Sequence, residues 1–189
     1  MGAMAWSQPT LANELGVTTG TPLSEPTQSV EIYVPPPEKD SPNPNNFCKA
    51  SLTPVINGII RKYPNNWGIL VKSLDNGQVL YSHNANKLFI PASNNKILTT
   101  AAALQVVKPQ TVIKSSVSLT RWVRVTNLRS NNYYADTLLR FIGGPTKAKA
   151  ALTRLGVNPK EYRQRDGSGL SRRNLSTPNA LVDTLEALY

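Results

Sequence analysis

Residues 89–107, FIPASNNKILTTAAALQVV, place a serine and a lysine three positions apart at the start of an apolar run. On a helix Ser93 and Lys96 share one face. A lysine whose pKa is lowered by burial can take the proton of a serine hydroxyl, and free amides at a helix start can stabilise an oxyanion. Ser93 as a simple N-cap, with Lys96 as an ordinary first-turn lysine, is the competing interpretation. The apolar run predicts a buried central helix, which favours a catalytic pair.

Composition narrows the class of protein but does not indicate one function. The chain has 189 residues, is 40% hydrophobic and carries a net charge of +10. Residues 1–50 hold two basic and five acidic residues, whereas residues 51–189 hold 19 basic and six acidic ones. The basic part is expected to attract polyanions such as nucleic acid, anionic lipid or an anionic cell-wall polymer. No apolar run is long enough to predict a transmembrane segment.

Cysteine and histidine are too scarce for several kinds of site. Cys48 is the single cysteine, so the chain has no internal disulfide, and no Cys/His cluster has metal-ligand spacing. His83 is the single histidine and lies in the polar stretch YSHNAN, which predicts a surface turn. A Ser-His-Asp triad would have to use His83. Neither a metal nor a cofactor is predicted.

The chain divides into two parts by composition. Residues 1–47 are predicted to be a proline-rich leader or linker, with a possible short helix at residues 9–16. Ala3-Met4-Ala5 has the form of a signal-peptidase site without the preceding charged and apolar regions, so the start is either the remainder of an export signal or an artificial extension left from expression. Residues 48–189 are predicted to form the folded domain.

The folded part is predicted to mix helices with hairpin strands. Apolar spacing predicts a helix at residues 52–60, and Asp75-Asn76-Gly77 predicts the turn of a β-hairpin within residues 67–83. Residues 111–120 and 121–127 are β-branched and are interpreted as strands. The remaining segments are predicted to be helices at 95–107, 133–142, 146–155 and 177–189, with a glycine-rich loop at 166–174. The order is that of an α/β (α+β) protein and not of an alternating parallel sheet.

A second polar motif, SNN, occupies residues 130–132 immediately before a predicted helix. A hydroxyl and a carboxamide there could pass a proton to a leaving amine and bind a substrate amide. Helix capping explains the motif equally well in isolation. The combination of this motif with Ser93 and Lys96 is what makes it informative.

Three stretches together resemble one family: FIPASNNKILTTAAAL (89–104), SNNYYADTLLRFIGG (130–144) and DGSGLSRRNLSTPNALV (166–182). They are similar to the D-alanyl-D-alanine carboxypeptidase/endopeptidase group of low-molecular-mass class C penicillin-binding proteins, in the order of that family and over residues 48–189. The resemblance implies a partial serine β-lactamase/penicillin-binding transpeptidase-like fold, with a helical cluster against an incomplete antiparallel sheet.

The resemblance also assigns roles. Ser93 is expected to be the acylated nucleophile, Lys96 its base, Ser130 the proton relay and Asn132 the group that binds the peptide carbonyl, while the DGSGLSR loop shapes the cleft. It implies a serine-type enzyme acting on peptidoglycan stem peptides, acylated by β-lactams, without a cofactor, and periplasmic or otherwise exported to the cell envelope. No specific nucleic-acid binding is expected, because the basic residues form no known module.

The chain departs from the family pattern in two places. Lys96 and Ser130 are separated by 33 residues, which leaves no room for the insertion domains usual in the family. The third motif, Lys-Thr-Gly, does not occur before Tyr189, and Lys114-Ser115-Ser116 lies upstream of Ser130, in the wrong order to replace it. These departures predict a truncated chain, whether or not it retains activity. The alternative function is a non-catalytic cell-wall-binding fragment with a basic surface.

Overall fold

A computed structural model describes residues 44–189, and for residues 44–50 it describes only the helical backbone. Helix α1 (Pro44–Ile60) contains the helix predicted at residues 52–60 and begins inside the predicted leader. The rest of that leader, including the possible helix at 9–16 and the Ala3-Met4-Ala5 sequence, lies outside the described residues. The division at residues 47 and 48 therefore stays a prediction.

The predicted hairpin is confirmed. Strands β1 (Ile69–Lys72) and β2 (Val79–His83) pair antiparallel, with Leu70 opposite Ser82 and Val71 opposite Tyr81. The turn between them needs a left-handed residue, and Gly77 provides it with φ of +68°. Helix α1 contacts this sheet through Asn57, whose Oδ1 accepts a hydrogen bond from the Tyr81 hydroxyl of β2 at 2.7 Å.

The apolar segment that follows the hairpin forms the central helix, α2 (Asn95–Val106), as predicted. Its core positions are almost completely buried, and many of them are alanines, which let neighbouring helices approach closely. The helices around it are α3 (Leu119–Leu128), α4 (Asn132–Phe141), α5 (Gly144–Arg154) and α6 (Pro178–Glu186). As predicted, α6 begins with Thr177 as its N-cap, whose side chain accepts from Ala180 N at 3.0 Å.

One predicted strand is wrong. Residues 112–118 do form strands, β3 (Val112–Lys114) and β4 (Val117–Ser118), but residues 121–127 lie in helix α3. The Ser118 side chain caps this helix, and Leu119, Trp122 and Thr126 are buried along one helical face. Burial of that face against the core outweighs the β propensity of the valines.

Two short strands were not predicted from the sequence. Strands β5 (Tyr162–Arg163) and β6 (Leu175–Ser176) pair antiparallel and hold the ends of the glycine-rich loop together. Phe89 forms a bridge to Ser176, with Phe89 N donating to Ser176 O at 3.0 Å and Ser176 N to Phe89 O at 2.9 Å. This bridge fixes the chain just before Ser93 beside the loop.

The described residues thus form a helical cluster with three separate two-stranded antiparallel sheets. The α/β (α+β) class predicted from the sequence is confirmed. Within residues 44–189, no helix is both long and apolar enough to cross a membrane.

Candidate active site

Ser93 lies in a single 3-10 turn, Ala92–Asn94, directly before α2. Its side chain is exposed and caps neither helix, so the simple N-cap interpretation does not describe it. Ala92, the first residue of this turn, has a φ of +47°. Left-handed backbone at a residue other than glycine is strained, and such strain is concentrated at functional sites. The strained turn presents the Ser93 hydroxyl at the surface.

Lys96 lies beneath Ser93 and is only 2% exposed. Its Nζ donates to Ser93 Oγ at 3.1 Å and to the carbonyl oxygen of Ser168 at 2.8 Å. Burial lowers the pKa of Lys96 from its usual 10.5, and the negative charges of Asp136 and Asp166 oppose that shift. Lys96 thus combines a lowered pKa with a hydrogen bond to Ser93 Oγ.

Ser130 approaches Ser93 from the other side. The Ser130 hydroxyl donates to Ser93 Oγ at 3.0 Å, and its backbone is left-handed with φ of +48°. The capping function considered for the SNN motif belongs to Asn131, whose Oδ1 accepts from Tyr134 N at 3.0 Å. Ser130 is thus left free to contact Ser93.

Asn132 is exposed at the first position of α4, two residues after Ser130. Its carboxamide makes no hydrogen bond to any other described residue, so it remains available to a ligand. The structure thus brings Ser93, Lys96 and Ser130 into direct contact and places Asn132 next to them along the chain.

The loop at residues 166–171 contacts the site more directly than predicted, because its Ser168 carbonyl holds the Lys96 amine. Asp136 on α4 fixes this carbonyl: one carboxylate oxygen accepts from Gly167 N and from Ser168 N, both at 2.9 Å. The sequence interpretation missed Asp136. Its position one helical turn after Asn132 was the available signal.

Asp166 organises the same loop from within. Its carboxylate accepts from Gly169 N at 2.6 Å, Ser171 N at 2.7 Å and Asn174 Nδ2 at 3.1 Å. Burial would raise the pKa of Asp166, but these hydrogen bonds outweigh burial and hold the pKa below its usual value. A charged Asp166 therefore keeps the loop closed around Ser168.

Two other residues weighed from the sequence are hydrogen-bonded to groups other than Ser93, Lys96 and Ser130. His83 ends strand β2 instead of occupying a turn, and its Nε2 lies 2.8 Å from the Pro64 carbonyl oxygen. The turn begins one residue later, at Asn84, whose φ is +50°. Lys114 donates to the Tyr133 hydroxyl at 2.7 Å. In the described part of the chain, no group of His, Cys, Asp and Glu has an arrangement suited to a metal ion.

Solved structures share this fold. A D-alanyl-D-alanine carboxypeptidase from Mycobacterium tuberculosis H37Rv aligns with a TM-score of 0.52 and 25% identity, over 62% of this chain and 53% of that one. Penicillin-binding protein D2 from Listeria monocytogenes, solved in an ampicillin-bound form, aligns with a TM-score of 0.50 and 24% identity, over 63% of this chain and 59% of that one. The architecture is that of the penicillin-binding, transpeptidase-like class, as the resemblance implied.

The chain belongs to the D-Ala-D-Ala carboxypeptidase 3 (S13) family, whose model matches residues 56–123 and 110–189. It is also 36% identical over 86 residues to penicillin-sensitive carboxypeptidase A from Dictyostelium discoideum. That match covers 39% of this chain and spans 16% of the length of the relative. The family predicted from the three sequence stretches is confirmed.

Proposed function

We propose that this chain carries the acylation centre of a serine-type D-Ala-D-Ala carboxypeptidase/endopeptidase that acts on peptidoglycan stem peptides. The observation that carries the proposal is the convergence of Lys96 Nζ and Ser130 Oγ on Ser93 Oγ, at 3.1 and 3.0 Å. These distances lie within the range needed for proton transfer. Membership of the carboxypeptidase family supports the choice of substrate class.

In the proposed reaction, neutral Lys96 removes the proton of Ser93, and Ser93 Oγ attacks the carbonyl carbon of the D-Ala-D-Ala bond. One N–H of the amine is donated to the Ser168 carbonyl, so the lone pair can face Ser93. Lys96 then returns the Ser93 proton by way of the Ser130 hydroxyl, which protonates the nitrogen of the leaving D-alanine as the C–N bond breaks. Water attacks the acyl-serine ester, which releases the shortened peptide and restores Ser93.

Asn132 is proposed to bind a peptide carbonyl of the substrate through its free carboxamide. β-Lactams are proposed to acylate the same serine, in line with the ampicillin-bound form of the Listeria relative. Since peptidoglycan lies outside the cytoplasmic membrane, the proposed site of action is the periplasm or another part of the cell envelope.

Incubation of the full chain with a fluorescent penicillin tests the proposal. We expect a covalent label that survives a denaturing gel and maps by mass spectrometry to the peptide containing Ser93. Label on another peptide would contradict the assignment of the nucleophile. Absence of label, together with salt-sensitive sedimentation on isolated cell walls, would favour the non-catalytic wall-binding alternative.

The rate of this labelling is expected to rise with pH. Because burial lowers the pKa of Lys96, the neutral amine becomes abundant at a pH below its usual 10.5. The acylation rate constant should therefore increase through the lowered pKa and reach a plateau below pH 10.5. Timed labelling across a pH series measures this profile.

Lys96→Arg provides the comparison, because a guanidinium stays protonated over the same range. We expect this variant to be acylated slowly, with a rate constant that does not increase with pH. A wild-type profile that is flat, or one that falls as pH increases, would exclude Lys96 as the base.

A further inference from the structure

A second cleft, whose lining does not include Ser93, Lys96 or Ser130, lies between the start of α5 and residues 159–165. Its volume is about 520 Å³. Four cationic residues line it, and none of its lining residues is acidic; the cations are Lys149, Lys160, Arg163 and Arg165. The site described above does not use this cleft.

The four cations have no acidic partner within residues 51–189. The ion pairs in this part of the chain join Lys72 to Asp183 and Glu186. Glu161 is adjacent in sequence, but its carboxylate accepts from Asn158 Nδ2 at 3.1 Å and from Thr177 Oγ1 at 3.2 Å. The positive charge of the cleft is therefore uncompensated and available to an anion.

The arrangement of these groups suits an oxyanion that accepts several hydrogen bonds, as a phosphate does. Arg163 ends strand β5 and Arg165 follows two residues later, a spacing that puts both side chains on one side of an extended chain. A guanidinium can donate two parallel hydrogen bonds to a phosphate. Pro145 and Thr146 bring the positive end of the 11-residue helix α5 to the same cleft.

A buried carboxamide fixes the chain between the two arginines. Gln164 lines the cleft and is 8% exposed. Its Nε2 donates to Thr99 Oγ1 at 2.6 Å, which fixes the orientation of the amide, while its Oε1 has no hydrogen-bond partner among the described residues. The Gln164 side chain therefore anchors residues 163–165 to helix α2, while the flanking side chains of Arg163 and Arg165 stay exposed.

We propose that the cleft between α5 and residues 159–165 binds a phosphodiester polymer, such as a polyol phosphate, through the charges of its four cations. The phosphates contact Arg163, Arg165 and the two lysines. This binding does not depend on catalysis at Ser93. It would hold the protein on an anionic polymer whether or not the serine is acylated.

Fluorescence anisotropy of a labelled glycerol phosphate oligomer, titrated with the full chain, tests the proposal. We expect Arg163→Gln combined with Arg165→Gln to weaken binding at least tenfold. The matched control is Arg121→Gln combined with Arg124→Gln, which removes the same charge from two exposed arginines of α3 outside the cleft. The control is expected to change the affinity less than twofold.

Equal weakening by the two double variants would overturn the proposal, because it would show diffuse attraction to the positive surface. Equally tight binding of polyglutamate would also overturn it, since carboxylates would then suffice. Amide NMR shifts in the wild-type chain give a test that needs no variant. Shifts on adding the oligomer should be confined to residues 145–149 and 160–165, and shifts centred elsewhere would contradict the proposed site.

Discussion

A chain carrying Ser93→Ala is expected to show no covalent labelling by a fluorescent penicillin. Ser93 Oγ is the atom on which Lys96 and Ser130 converge, at 3.1 and 3.0 Å. Neither of those residues is expected to replace it, because Lys96 is buried and the hydroxyl of Ser130 is hydrogen-bonded to Ser93 and to no basic group among the described residues. Loss of the nucleophile in a serine peptidase lowers kcat by about 10⁶-fold. Gel fluorescence, followed by mass spectrometry of the intact protein, measures the loss.

Ser130→Ala is the control for this experiment. It keeps the nucleophile and its base but removes the proposed proton relay, so labelling should still occur on Ser93. General acid–base assistance contributes roughly 10²- to 10⁴-fold, and the labelling rate should fall by an amount in that range. Since both serines are exposed, neither change should disturb folding. Labelling of Ser93→Ala at the wild-type rate would refute the assigned nucleophile.

The second large effect is expected from Gly169→Ala. A Cβ at Gly169 would lie 1.8 Å from the carbonyl oxygen of Ala92, and the residue has a φ of +91°. A left-handed alanine costs about 1–2 kcal/mol, and overpacking against backbone costs typically about 1–3 kcal/mol more. We expect the free energy of unfolding in urea to fall by roughly 3 kcal/mol or more. Labelling should also fall, because Ala92 immediately precedes Ser93.

Gly156→Ala separates the two contributions. Gly156 has a nearly equal φ of +96°, but a Cβ there would meet nothing within 4 Å. The free energy of unfolding is therefore expected to fall by the conformational cost alone, about 1–2 kcal/mol, and labelling should not change. Equal losses of stability in the two variants would show that the close approach of Gly169 to Ala92 contributes nothing to the effect.

Local signals predicted much of the fold because they depend on neighbouring residues. Asp75-Asn76-Gly77 specified the hairpin turn through a left-handed glycine, and Thr177 with Pro178 specified the start of α6. Residues 121–127 were assigned wrongly because their β propensity was judged without the core that buries Trp122. Strands β5 and β6 have two residues each, too few to show a period.

The candidate site was predictable in part for the same reason. Ser93 and Lys96 are separated by one helical turn, so their spacing already indicated a contact. The contact between Ser130 and Ser93 spans 37 residues and was expected only from the family resemblance. Asp136 and the carbonyl of Ser168 went unassigned, because a backbone oxygen has no signature in sequence and Asp136 acts on residues 31 and 32 positions away.

The amino-acid sequence by itself determined the family, the pairing of a serine with a lysine, and the helices and turns around them, since each depends on residues close together in the chain. Only the tertiary structure decided that Lys96 is buried, that Ser168 holds its amine and that the four cations lining the second cleft meet without acidic partners. Burial and charge arise from segments far apart in sequence, and folding must bring those segments together before either property exists.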